Sequence, residues 1–137
     1  MSKAKFKIWD KTRNKWLVSN CGQFLLTQDG NVMFHMDGDN PLEPIIDQIE
    51  YEVLMYTGLK DKNGKEIYDG DIVKYTSELE NGIFEVKYSN CRFYGLWIEA
   101  NFMDITTDLF YLGCSNELEV IGNIYQNPEL LEGVDNE

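Results

Sequence analysis

Three groups of residues have types and spacing that could do chemistry, and each has a plainer structural reading. Asp61-Lys62-Asn63-Gly64-Lys65 approaches the pattern of a calcium loop. A lysine at the fifth position, where an oxygen ligand is required, and the displaced glycine argue against it, so a hairpin turn is the expected role. Asp37-Gly38-Asp39-Asn40 fails similarly, because Pro41 follows and no bidentate glutamate arrives at the right distance. Asp69 and Asp71, two residues apart, could pair as acid and base only if their surroundings pushed the two pKa values apart. Turn aspartates in water do not meet that condition, and capping of their own backbone is the expected role.

The third group is His35, the one histidine, with Cys21, Cys91 and Cys114. A hydrolase built on Cys91 or Cys114 with His35 is conceivable. The alternating context Met33-Phe34-His35-Met36 instead reads as a strand carrying a structural histidine. The cysteines are odd in number and lack any C-x-x-C spacing, so reduced, buried thiols are expected rather than disulfides or a zinc site. Cys91 alone has a basic neighbour in sequence, Arg92. No glycine-rich phosphate loop, nucleophile elbow or H-E-x-x-H motif is present. No catalytic residue, cofactor or metal is therefore expected, and the chain reads as a non-enzyme.

The elements that must carry these residues are mostly strands. Lys5 to Trp9 alternates with period two, Asp10 to Asn14 is turn-rich, and Lys15 to Val18 resumes, which predicts a hairpin. Phe6 and Ile8 share one face. Trp9 falls on the other with the lysines and needs cover from another element or from a partner. Cys21 to Thr27 and Asn31 to Met36 predict a second strand pair around Gln28-Asp29-Gly30, and 37–44 is a loop by composition. Ile45 to Ile49 could form one helical turn, after which a strand begins near Tyr51.

Asn63-Gly64 predicts a tight hairpin with positive φ at both residues, and Asp69-Gly70-Asp71 a second bend. Strands are then expected at 72–75, 82–88, 93–99, 109–112 and 118–125. Five short strands joined by turns describe a small, strongly curved barrel. Asn127 as cap, Pro128 and Glu129 predict a helical turn to Glu132 docked by Leu130 and Leu131, with 133–137 frayed.

A chain of 137 residues, 43% of them hydrophobic, supports one globular domain or two very small ones and excludes a multi-domain enzyme. The formal charge of -12 disfavours direct nucleic-acid binding. No run approaches the ~18 apolar residues of a membrane span and the start lacks a secretory signal, so an intracellular protein without membrane attachment is expected. Residues 1–16 carry six basic side chains against Asp10, while 17–137 hold six basic and 23 acidic residues. The basic start of one copy could meet the acidic body of another, although lysines at solvent-facing strand positions are the plainer reading.

Eight tyrosines, seven phenylalanines and three tryptophans exceed what so small a barrel can bury, which points to a subunit or partner interface. Trp9, Trp16, Tyr56, Tyr68 and Trp97 are the interface candidates.

Phe6 to Asp10, Met55 to Val73 and Val120 to Leu130 together resemble the YopX family of phage and prophage proteins. The resemblance spans nearly the whole chain. It implies a mainly-β protein with an irregular N-terminal antiparallel sheet, residues 1–50, and a small SH3-like C-terminal barrel, residues 51–137, closed by a short helical turn. It further implies a homo-oligomer in the cytoplasm of a bacterial host, and it carries no catalytic residue or cofactor. The expected function is a non-enzymatic, self-associating module that binds a host or phage protein. The alternative is an acidic DNA mimic that inhibits a host DNA-binding protein.

Overall fold

The structure, a computed structural model, describes residues 5–19, 22–36, 43–44, 50–113 and 117–132. The expected loop over 37–42, the helical turn over 45–49, the frayed end over 133–137, Cys21 and Cys114 all lie outside those residues. Lys7–Val53 forms one compact unit, and Met1–Phe6 with Leu54–Glu137 forms the other.

In the first unit, β1 (Phe6–Asp10) pairs antiparallel with β2 (Lys15–Trp16), Trp9 opposite Trp16. The two indoles meet edge to face at 5.0 Å, and Lys7 Nζ sits 4.7 Å from the Trp16 ring centroid. Trp9 and Ile8 are both buried, so both faces of this strand are covered within the chain. β3 (Gly22–Leu26) and β4 (Val32–Met36) form the expected second hairpin. Its turn closes through Gly30 N–H to Thr27 O, with Gly30 at φ 89°. Phe24 and Phe34, directly opposite, pack their rings 5.1 Å apart. Glu43–Pro44, read from composition as loop, forms a short strand β5 on β4. A proline is tolerated there because an edge strand leaves one side of its backbone unpaired.

β6 (Tyr51–Lys60) runs four residues beyond the apolar segment that announced it. It passes through Gly58 at φ 91°, where the register with β7 (Glu66–Tyr68) shifts. A bulge of this kind needs a residue without a Cβ at positive φ. The turn at Asn63-Gly64 forms, but in a wider version than expected. Gly64 N–H donates to Asp61 O and Asp61 N–H to Lys65 O, and Gly64 alone takes positive φ. That is a type I turn closed by a left-handed glycine, as at Gly30.

β8 (Asp71–Thr76), β9 (Asn81–Ser89), β10 (Arg92–Ala100), β11 (Thr106–Asp108) and β12 (Leu118–Asn123) make a curled antiparallel sheet. Among the described residues its order is β11-β10-β9-β8-β12. Its core holds Ile67, Val73, Phe84, Val86 and Leu118, with Tyr75 and Trp97 packed against them. Each such burial stabilises by roughly 1.5–3 kcal/mol. Phe84 lies so close beneath Gly95 that an added Cβ would stand 2.6 Å from its ring.

The run Leu109 to Leu112, expected as a strand, is the helix α1 (Leu109–Gly113). Asp108 Oδ1 accepts the Phe110 N–H at 2.9 Å, capping the first turn. Leu109 and Leu112, three apart, enter the core while Phe110 and Tyr111 face solvent. A four-residue apolar run contains both periods, and the cap selects the helical one.

At the end of the chain, Pro128–Glu132 is the expected helical turn. Asn127 stands at its start, but its Oδ1 faces backward and accepts the Asn123 N–H at 3.1 Å. Leu130 is half-buried and Leu131 exposed, so the leucines do not dock together.

Cys91, expected to be buried, is exposed at the β9–β10 turn. Asn90 and Cys91 take φ of 53° and 64° between the paired Ser89 and Arg92. Two consecutive left-handed residues define the tight hairpin turn that normally recruits Asn-Gly. Cysteine in this conformation costs about 1 kcal/mol relative to glycine. Cys91→Gly should therefore raise stability by about 0.5–1 kcal/mol, seen as a higher urea midpoint at unchanged slope. An unchanged or lower midpoint would contradict this strain.

Candidate functional site

The motif Met55 to Val73 is a set of side chains turned onto backbone. Asp61, 8% exposed, accepts from Asn63 N–H at 2.8 Å and Lys65 N–H at 2.9 Å through Oδ1, and from Val120 N–H at 2.9 Å through Oδ2. Burial alone would push this carboxyl up. The three backbone donors, with the charge of Lys65, outweigh burial and hold it below the usual carboxylate range.

Asp71 Oδ2 likewise accepts the Tyr68 N–H at 2.8 Å, and Thr57 Oγ1 donates to Ile67 O at 2.7 Å. Asp71 thus caps backbone as expected, but it does so buried rather than in water. In the first unit, Asp10 is wholly buried. It accepts from the Thr12 and Arg13 N–H groups and pairs with Arg13 Nε at 2.7 Å. Burial pushes its carboxyl up, and the hydrogen bonds and charge of Arg13, with the Thr12 N–H, bring it below the ordinary value. These aspartates are scaffold.

A second cluster joins Lys5, Glu66, Tyr68 and Tyr56. Glu66 takes the Lys5 ammonium on Oε2 and the Tyr68 hydroxyl on Oε1, the latter at 3.0 Å. Hydrogen bonding to Lys5 holds Glu66 below its ordinary range, and Glu66 raises Lys5. Burial first, then the bond to Glu66, pushes Tyr68 up to about 12. A phenol that keeps its proton this firmly donates a hydrogen bond and cannot serve as a base near neutrality.

Of the interface candidates, Trp9 and Tyr68 are buried within the chain, whereas Trp16, Tyr56 and Trp97 are half-buried. Tyr56 and Tyr68 face each other at 5.4 Å. Trp97 is a hub that touches Tyr75, Phe84 and Phe102, and its indole N–H donates to Thr107 Oγ1 at 2.8 Å. His35 sits half-buried on β4 in the first unit. Among the described residues, no group of three or more His, Cys, Asp and Glu could hold a metal ion. No helix there is long and apolar enough to cross a membrane.

The large apolar side chains that face solvent are others: Leu79, Met103, Ile105, Phe110 and Tyr111, and, scattered apart from these in sequence, Val18, Leu25, Tyr88 and Leu131. Met103 is 95% exposed, yet the segment carrying it is tied at both ends. Asn101 donates from its backbone to Asn81 O, accepts Asn81 N–H on its side chain, and reaches Leu79 O with Nδ2. Phe102 packs edge-on against Trp97, and Ile105 O accepts the Trp97 N–H at 3.0 Å. Leu79 rides a turn closed by mutual hydrogen bonds between Ser77 and Glu80. Anchored backbone beneath exposed apolar side chains is a displayed surface. Sequence reasoning weighed the aromatics by type and missed this surface, whose signal is Phe102-Met103-Asp104-Ile105 beside Leu109-Phe110-Tyr111 in a stretch without cations.

Curled antiparallel sheets with carboxylate-stapled turns and a short helical turn define a small mainly-β protein. A family model described as YopX protein matches residues 5–132, and the chain belongs to that family. A curated relative, the SPbeta prophage-derived uncharacterized protein YopX of Bacillus subtilis (strain 168), is 29% identical over 133 residues, covering 94% of this chain and 96% of its own. The crystal structure of protein EF1440 from Enterococcus faecalis is similar at 29% identity and TM-score 0.59, covering 95% of this chain and 99% of that one. That of yopX from Bacillus subtilis is similar at 25% identity and TM-score 0.62, covering 95% and 98%. None of these names states a reaction.

Two outcomes are expected of the aspartate staples. Asp61→Asn turns an amide toward N–H donors and leaves at least one unpaired, which should cost about 2 kcal/mol in urea unfolding at pH 7. No loss would show that the carboxylate is dispensable. Asp10 and Asp61 titrate low when folded and near 3.9 when unfolded, about the ordinary aspartate value. Their contribution is therefore complete above about pH 4 and is lost as the pH falls through the lower folded value. Stability should be level from pH 7 to 5 and drop below about 4, less steeply in Asp61→Asn. A fall beginning near pH 6 would point to another group.

Proposed function

We propose that this chain is a non-enzymatic protein-binding module of prophage origin that associates with itself and acts in the bacterial host cytoplasm by engaging a host or phage protein. The observation that carries the proposal is the ordered display of Leu79, Met103, Ile105, Phe110 and Tyr111 to solvent. Apolar groups held outward on anchored backbone are costly to a solitary soluble protein and useful to one with a partner. The outer face of α1, with Phe110 and Tyr111, is the self-association surface in this reading. Several buried titratable groups with structural partners support the same view. Asp10, Asp61 and Asp71 are committed to backbone N–H groups, and the Tyr68 phenol is held protonated.

The DNA-mimic alternative draws on net charge alone. A mimic needs carboxylates ranked along an outer surface, and the aspartates turned inward cannot serve there.

Light scattering coupled to gel filtration tests the proposal. The unmodified chain should elute with a mass above that of one chain. Phe110→Ser/Tyr111→Ser should weaken the assembly by about tenfold or more while keeping its circular dichroism and melting temperature. An assembly indifferent to both substitutions would move the interface away from α1. A monomer at high concentration that also captures no protein from host or phage-infected lysate would end the reading.

A further inference from the structure

We infer that the surface built from Leu79, Met103 and Ile105 is a docking site for a cationic amphipathic segment of a partner protein, one with apolar side chains at its centre and Lys or Arg on its flanks. The inference rests on the protein-binding reading and goes beyond it by naming the partner's chemistry and the three side chains that receive it.

The three apolar side chains come from two segments that the Asn101 side chain joins by its bond to the Leu79 carbonyl. Their charged neighbours in sequence, Glu78, Glu80 and Asp104, are exposed and all acidic. From Phe93 to Glu137 the chain holds nine Asp and Glu and no Lys, Arg or His. Between Tyr75 and Val86 there is likewise no basic residue. The nearest cations in sequence are Lys74, Lys87 and Arg92. Lys87 is paired with Glu85 at 3.4 Å, and the Arg92 guanidinium lies over the Tyr94 ring. An apolar centre whose charged neighbours in sequence are acidic disfavours nucleic acid and anionic lipid and favours a cationic protein segment.

A second copy of this chain fits the face less well than a foreign segment does. Lys5, Lys11, Arg13, Lys62 and Lys87 already stand against Glu66, Glu52, Asp10, Glu119 and Glu85 of their own chain.

The test uses the full chain and a fluorescein-labelled helical peptide of roughly 18 residues made of leucine and lysine with a single apolar stripe. A peptide with serine in place of leucine is the equal-charge control. By fluorescence anisotropy the leucine peptide should bind about tenfold or more tighter than the serine peptide, and more weakly as salt rises. Leu79→Ser/Met103→Ser/Ile105→Ser should lose about tenfold in affinity without a change in net charge. Glu78→Gln/Glu80→Gln/Asp104→Asn should lose a comparable factor at low salt, while Glu117→Gln/Glu129→Gln should bind like the parent. All these positions are at least partly exposed, and circular dichroism confirms that each variant is folded.

Unchanged binding by the serine variant overturns the inference. If amide shifts then map the peptide to another face, this site fails while the protein-binding reading stands. A serine variant that instead changes the molar mass of the parent assembly assigns the face to a second copy and also overturns it. Absence of any peptide binding overturns it as well, and together with a monomeric parent chain that captures no protein it takes the protein-binding reading down too.

Discussion

The buried carboxylate of Asp61 is the interaction on which the second unit depends. One oxygen holds the two N–H groups of the turn between β6 and β7, and the other holds Val120 on β12. The Lys62 N–H adds a bond to Leu118 O from the same turn. β12 pairs in turn with β8, so a hairpin near the middle of the chain is fastened to its closing strand. A buried carboxylate is tolerable only when such donors surround it, and here the donors are backbone groups that would otherwise be orphaned at a turn. The costs of carboxylate and turn offset each other.

Asp71 and Asp10 repeat the device, one beneath Tyr68 and one at the turn after β1. Asn123 does the same as an amide, accepting from Tyr125 and Gln126 at 3.0 and 2.8 Å. A Cβ at Gly122 beside it would stand 2.6 Å from Asn127 Oδ1 and would displace that side chain. The residues that make the family motif distinctive are thus those that shape turns. The apolar display lies in residues 101–111 and at Leu79, within the matched span of 5–132 but outside those turn-shaping motifs.

The acidic character divides in the same way. Some carboxylates face inward and stabilise turns, while others, such as Glu78, Glu80 and Asp104, face outward beside apolar side chains. An outward carboxylate next to an exposed leucine or methionine keeps that stretch of surface hydrated. Net charge describes both populations with one number and separates neither.

The strands and their turns were legible because both signals are local. Alternation at Lys5 to Trp9, the glycines at 30, 64 and 70, and the Asn-Pro-Glu ending each constrain φ or exposure over a few residues. By itself the sequence determined a mainly-β chain, the hairpin order and the family. Three decisions were left to tertiary structure, each for a physical reason. Leu109 to Leu112 became a helix because the Asp108 cap and a core offering room to residues three apart outweighed a run with no period of its own. The tightest turn fell at Asn90-Cys91, where the register of β9 and β10 required two left-handed residues and overrode the preference of cysteine. Which aromatics face outward was set by packing. Trp9 and Tyr68 are enclosed and Phe110 and Tyr111 displayed, although the four share the same apolar chemistry, because burial belongs to the assembled sheet and not to the residue type.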